Sequence, residues 1–169
     1  MPGRAAAVLV PLIPDGESFN VVLTRRRDDL RRHPGEIAFP GGRRDDGDTD
    51  LIATALREAR EETGLDPHGV TLVGALDPLP TIATGYAIYP FVGVIERPSE
   101  WAPQEREVDA ILEFPIDELA AAYELRKMRR RGISFTTNAF PMSDQWFIWG
   151  ATGRLLVDLM DRVGIERPG

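Results

Sequence analysis

The chain has 169 residues, 43% hydrophobic and 28% charged, with 16 glycines, 14 prolines and no cysteine. That is the length of one domain with its own core and a near-average composition, which argues against disordered, collagen-like or coiled-coil architectures; zero cysteine excludes disulfide scaffolds, thiol nucleophiles, zinc-thiolate sites and iron-sulfur clusters. The formal net charge is −7, with basic residues bunched at Arg25–Arg32 and Arg126–Arg131, which disfavours broad nucleic-acid binding and leaves open a small phosphorylated ligand held by local arginines.

The run from Arg4 through Ala5 to Ile13 superficially resembles a short signal segment, but Pro11 interrupts it and Asp15-Gly16-Glu17 follow where small residues before a cleavage site belong. It reads as a first strand near 4–13, joined by the Pro14-Asp15-Gly16 turn to a second near 18–25. No apolar run approaches the roughly 18 residues of a membrane span, and cytoplasmic residence is the default expectation. A short strand ends at Phe39, and a Gly-rich loop runs from Gly41 to Gly47. Between Leu51 and Thr63 the residues Ile52, Ala55, Leu56 and Ala59 recur at helical spacing, with Asp48, Thr49 or Asp50 to cap the start and Gly64 to end it. Strands are expected at 70–76, 86–95 and 108–114, then a helix over 116–125 introduced by Pro115. Past a basic turn around Gly132 come strands near 133–140 and 145–149. A last helix, about 151–163, carries Leu155, Leu156, Leu159 and Val163 on one stripe. With no internal repeat or linker, this order predicts one domain over 1–169 of the α/β class, an α/β/α sandwich with a mixed β-sheet.

The chemistry concentrates on the 51–63 helix. Glu58, Glu61 and Glu62 lie three and four residues apart, on the side opposite the apolar stripe. Negative charges near a helix C-terminus oppose its macrodipole by about 0.3–1 kcal/mol each and repel one another, so a compensating cation is expected. Arg57 and Arg60 offset part of this. Clustered carboxylates beside a Gly-rich loop with free carbonyls are also the oxygen ligands that hard divalent cations prefer. A solvated amphipathic helix would carry such a cluster equally well, so the surroundings decide.

The stretch from Gly42 to Asp48, followed by Arg57-Glu58-Ala59-Arg60-Glu61-Glu62-Thr63-Gly64-Leu65, resembles the box of Nudix hydrolases, G-x5-E-x7-R-E-U-x-E-E-x-G-U with U aliphatic. The second half matches at every specified position. In the first half Asp48 replaces Glu, and eight residues rather than seven separate it from Arg57. These departures bear on the contact between Asp48 and Arg57 more than on the metal site. The resemblance implies Glu58, Glu61 and Glu62 as ligands of Mg²⁺ or Mn²⁺, the Gly42 carbonyl as a further one, and Arg57 as the residue that orients a carboxylate. It implies a general base, Glu107 or Glu61, with Glu105 as the competitor in the loop before Val108, and does not decide between Glu105 and Glu107.

Upstream, Leu23-Thr24-Arg25-Arg26-Arg27, Arg31, Gly35 and Phe39-Pro40-Gly41-Gly42 look like the signature of the coenzyme A pyrophosphatases within that family, roughly L-L-T-x-R-S/A-x3-R-x3-G-x3-F-P-G-G. Val22 stands for the first Leu, and Arg27 stands where Ser or Ala is usual. The resemblance implies hydrolysis of coenzyme A or its thioesters to 3′,5′-ADP and phosphopantetheine or its acyl form. Arg26, Arg31, Gly41 and Gly42 would contact the substrate, because Arg grips phosphate bidentately. The partner is then a small molecule, with neither nucleic acid nor membrane, and a homodimer is compatible. The alternatives are a Nudix pyrophosphatase acting on ADP-ribose or a nucleoside triphosphate, a silent Nudix domain that only binds a nucleotide diphosphate, and a plain interaction domain.

Other features have blander readings. Arg126 to Arg131 suggest a basic hairpin tip, His33 and His68 are structural or exposed, and Trp101, Trp146 and Trp149 serve packing. Serine occurs without a Gly-x-Ser-x-Gly elbow, so no covalent relay is expected.

Overall fold

The computed structural model describes residues 4–81 and 84–169. Its spine is β1, Arg4–Asp15, an apolar run covered on both faces. A tight turn leads to β2, Ser18–Arg26, antiparallel to β1 with Leu12 opposite Val21. β3, Ile37–Ala38, adds to the edge of β2, and β4, Gly41–Arg43, returns to β1 with Gly42 opposite Ala7. The helix α1, Leu51–Thr63, starts at Asp50, whose carboxylate accepts from the Ala53 amide, and stops at Gly64, which adopts φ 78°. A side-chain acceptor at the start and a left-handed glycine at the end satisfy amides and carbonyls that the helix itself cannot.

After a 3₁₀ turn at Pro67–Gly69 come β5, Thr71–Ala75, β6, Leu79–Thr81, β7, Tyr86–Val94, and β8, Val108–Pro115. β7 lies parallel to β1, β5 and β6 pair antiparallel with β7, and β8 pairs antiparallel with β2, so the sheet is mixed. The helix α2, Ile116–Ala122, precedes a second sheet of β9, Glu124–Arg130, β10, Ile133–Pro141, and β11, Phe147–Ile148. The last helix, α3, is Gly150–Val163.

Side chains alternate across a strand, so β1 supplies two cores. Ala7, Leu9 and Ile13 meet Val22 and, from α1, Ala55 and Ala59. Val10 and Leu12 meet Val21, Leu23 and, from α3, Leu155, Leu156 and Leu159. Helices thus cover both faces of a mixed sheet, the α/β/α sandwich predicted from the sequence. The small Ala55 and Ala59 on the packed side of α1 let the helix approach the sheet closely, which leaves its acids at the sandwich margin beside β4.

The structure corrects several sequence expectations, mostly in the C-terminal third. The helix expected over 116–125 stops at Ala122, and Glu124–Arg130 is a strand. The cations from Arg126 to Arg130 therefore lie along β9, and only Arg131 and Gly132, both at positive φ, make the tip. Arg126 and Arg130 rest over Phe147 and Trp149, at 4.7 and 5.6 Å from the ring centroids. The strand expected at 145–149 shortens to Phe147–Ile148, because Trp149 begins α3. The Gly-rich stretch is not all loop, since Gly41–Arg43 is β4. β6 is unexpected from its proline, yet among the described residues it pairs only with β7, and an edge strand tolerates a missing N–H.

Candidate active site

Arg57 organises the start of the site. Its Nε and Nη2 donate to Asp48 Oδ1 and Oδ2 at 2.9 and 3.0 Å, a two-pronged pair, and Nη2 also donates to the Arg43 carbonyl at 3.0 Å. Asp48 is buried and accepts further hydrogen bonds from the Asp45 amide and the Thr54 hydroxyl. The Arg57 guanidinium, aided by those two donors, holds the Asp48 carboxyl well below the usual carboxylate range. The shorter side chain and the longer loop compensate each other, and the contact that the sequence departures put at stake is made. The remaining prong of Arg57, Nη1, faces Glu58 Oε1 at 3.1 Å and Glu61 Oε2 at 3.3 Å. An arginine of this chain thereby offsets part of the repulsion among the acids.

Gly42 brings β4 against α1 without a side chain, and Gly41 brings it against β1. A Cβ on Gly42 would lie 2.6 Å from the Glu58 carboxyl carbon, and one on Gly41 would overlap the Ala7 carbonyl oxygen. Burial raises the Glu58 carboxyl above its ordinary value; Arg57 opposes this, and Glu61 and Glu107 add to it. Burial also pushes Glu62 up to about 8, with the charges of Glu58 and Glu107 adding, while the Gly41 amide and Arg26 act in the opposite direction. Glu62 is the most enclosed acid of the group, at 9% exposure.

Glu107 reaches this cluster on a loop fastened to the end of α1. The amides of Ala102 and Gln104 donate to the carbonyls of Thr63 and Glu62 at 2.9 and 3.0 Å, and those of Glu107 and Val108 donate to the Gln104 carbonyl. Trp101 Nε1 anchors the loop start on Glu113 at 2.9 Å. Arg26, at the end of β2, donates from Nε to the Arg32 carbonyl at 3.3 Å, and its charge favours the ionised form of Glu62. Arg31 lies farther out, exposed in the bend between β2 and β3. The structure thus gathers Arg57, the three α1 glutamates, Gly41, Gly42, Arg26 and Glu107 in one region and leaves Arg31 at its margin. Sequence reading missed the loop contacts of Arg27, whose signal was its departure from the upstream signature.

Among the described residues no three acidic or histidine side chains already converge at metal-ligating distance; Glu58 and Glu61 lean on Arg57 instead. The donor set nevertheless suits a hard divalent cation. It consists of carboxylates and backbone carbonyls, and the buried Glu62 is raised by its acidic neighbours, a repulsion that a cation between them would relieve. The wide groove between Tyr123 and Arg167 is a weaker candidate. There Arg167 is already paired with Asp161 and laid over the Tyr123 ring, 5.1 Å from its centroid.

The fold and site together define an α/β sandwich enzyme with an acid-bearing helix packed on a double-glycine strand. The NUDIX domain family matches residues 1–134. Over 165 residues the chain is 37% identical to the uncharacterized Nudix hydrolase NudL of Escherichia coli O7:K1, covering 96% of this chain and 84% of that protein. It is 36% identical to NudL of Enterobacter sp. strain 638, with the same coverage. Solved structures share the fold. RenU, a Nudix hydrolase from M. smegmatis, superposes with a TM-score of 0.58 at 22% identity over 69% of this chain and 73% of its own. The MutT protein from Methanosarcina mazei Go1 gives 0.59 at 16% identity over 97% of this chain and 98% of its own. The chain belongs to the Nudix hydrolase family, which acts on nucleotide-linked pyrophosphates. No helix among the described residues is long and apolar enough to cross a membrane.

Proposed function

We propose that this protein hydrolyses the pyrophosphate bond of coenzyme A or its thioesters, releasing 3′,5′-ADP and phosphopantetheine or its acyl form. The observation that carries this reading is the packing of Gly42, the last residue of the 23–42 segment, against the Glu58 carboxylate. The segment from Leu23 to Gly42, which looks like the coenzyme A signature, ends against the acids suited to a cation. Glu58, Glu61, Glu62 and the Gly42 carbonyl would hold Mg²⁺ or Mn²⁺, which supplies charge neutralisation at the phosphoryl oxygens and a more acidic water.

The chain's own residues do the rest. Arg57, fixed on Asp48, orients Glu58 and Glu61. Glu107 takes the proton from the attacking water as its oxygen bonds to phosphorus, while the bridging P–O bond breaks and the second phosphate leaves with the bridging oxygen. Glu61 is the competing base. Arg26 and Arg31 bind substrate phosphates, the 3′-phosphate of the ADP end among them. One domain over 1–169 and residence in the cytoplasm belong to the same proposal.

Incubation of purified protein with coenzyme A and Mg²⁺, followed by chromatography, is expected to yield 3′,5′-ADP. Glu62→Gln is expected to lower that rate by about 100-fold or more. Hydrolysis of ADP-ribose or a nucleoside triphosphate in place of coenzyme A would overturn the substrate. Binding of coenzyme A without product would favour the silent domain, and full turnover by Glu62→Gln would overturn the ligand assignment.

A further inference from the structure

Arg27 occupies the signature position where Ser or Ala is usual, and it is engaged at both ends. Its main-chain amide donates to the Glu107 carbonyl at 3.0 Å. Its guanidinium forms a fork with Asp29, Nε to Oδ1 at 2.9 Å and Nη2 to Oδ2 at 2.7 Å. That fork fixes the plane of the guanidinium and leaves Nη1 as the free corner, which donates to the Glu105 carbonyl at 2.9 Å. Both acceptors are main-chain atoms of the loop that carries Glu107. Any residue other than proline supplies the amide contact, but only a long forked donor spans the second one; Ser or Ala at 27 would end several bonds short of Glu105.

Elsewhere the loop is held by Trp101 on Glu113, by Ala102 and Gln104 on the end of α1, and by Val108, which enters β8 opposite Arg26. Between Gln104 and Val108 its side chains are exposed and contribute nothing to the core, so its position depends on these hydrogen bonds. Resting on the function proposed above, we infer that Arg27, oriented by Asp29, is a positioning residue that holds the 105–107 backbone so that the Glu107 carboxylate stays at the α1 acid cluster. Arg27 itself does not touch substrate. The phosphate-binding role proposed for this segment stays with Arg26, one residue earlier, at the end of β2.

A double-mutant cycle separates positioning from direct binding. With coenzyme A and Mg²⁺, Arg27→Ala is expected to lower kcat by about tenfold with KM changed less than about twofold, the cost of one charge-assisted hydrogen bond. Asp29→Asn weakens the same fork and lowers kcat in the same sense by a smaller factor. In a Glu107→Gln background, Arg27→Ala is expected to cause no further loss, because the group it positions is already gone. Hydrogen exchange at the Glu107 and Val108 amides is expected to quicken by about tenfold in Arg27→Ala and in no other segment. Losses that multiply in the double variant, a rise in KM in place of the fall in kcat, or unchanged exchange would each overturn the inference. Should the wild type not turn over coenzyme A, the substrate reading fails by itself, and the exchange measurement still decides whether Arg27 holds the loop.

Discussion

Arg57 and Asp48 face each other edge to edge, with Nε to Oδ1 and Nη2 to Oδ2 both near 3 Å, across a loop that folds back on the first turns of α1. The pair joins the loop after β4 to the helix that bears the acids. Because Asp48 is buried and also receives the Asp45 amide and the Thr54 hydroxyl, removing its charge leaves several donors unmatched. Asp48→Asn is expected to lower stability by about 2 kcal/mol, read as a shift of the urea midpoint at unchanged slope. Activity should fall with it, since Arg57 loses its fixed orientation. An unshifted midpoint would mean that the loop re-forms around the amide.

Gly41 and Gly42 predict opposite phenotypes from the same substitution. Gly41→Ala places a methyl against the Ala7 carbonyl and Val8 of β1, where backbone must move, so poor folding and a depressed Tm are expected. Gly42→Ala places its methyl against the Glu58 carboxylate, a side-chain end that can swing away. A folded protein with Tm within a few degrees of wild type and at least about tenfold lower activity is expected. Full activity in Gly42→Ala would show that Glu58 need not stay where β4 holds it.

Glu62 sets a pH dependence with a definite sign. Its carboxyl is raised from 4.5 to about 8 in the folded chain, chiefly by burial, so the folded state holds a proton that the unfolded state releases. Stability without divalent cation should therefore decline as pH rises from about 4.5 to about 8. Asp48 shifts downward, so its contribution is already complete above about pH 4 and does not distort that window. Stabilisation by millimolar Mg²⁺ should grow over the same interval, because the ionised form is the one a cation binds. Thermal melts from pH 5 to 8, with chelator and with Mg²⁺, check this, and Glu62→Gln should flatten both trends. A chelator curve that rises toward pH 8 would contradict the assignment.

Arg26 and Arg31 should separate in their effect on substrate. Arg26 ends β2, where its charge acts on Glu62, and Arg31 lies on the exposed bend. Arg26→Ala is expected to raise KM about tenfold for coenzyme A and for its analogue lacking the 3′-phosphate alike. Arg31→Ala is expected to raise KM for coenzyme A alone. Equal effects of Arg31→Ala on both compounds would remove it from the 3′-phosphate.

The parts of the molecule that could be read from sequence are those whose cause is local. α1 shows its cap, its apolar spacing and its terminal glycine within a few residues, and β1 and β2 show a continuous apolar run with a turn between. β9 has no such signal: Glu124, Arg126 and Met128 face one way and Leu125, Lys127 and Arg129 the other, with neither set consistently apolar. It is a strand because β10 pairs with it and because the rings of Phe147 and Trp149 take the guanidinium groups of Arg126 and Arg130. The site divides the same way. The α1 glutamates are visible as a spacing, whereas the approach of Glu107 depends on hydrogen bonds from a distant loop to Thr63 and Glu62, which no pattern in the loop itself announces.

The Nη1 prong of Arg57 also bears on the order of events in the life of the chain. With Glu58 and Glu61 already answered by a guanidinium from their own helix, the acid-rich end of α1 can fold on nascent protein in a medium poor in free divalent ions. Reaching the native shape and acquiring an inorganic partner are then separate events, and a chelator should silence such a protein long before it unravels it.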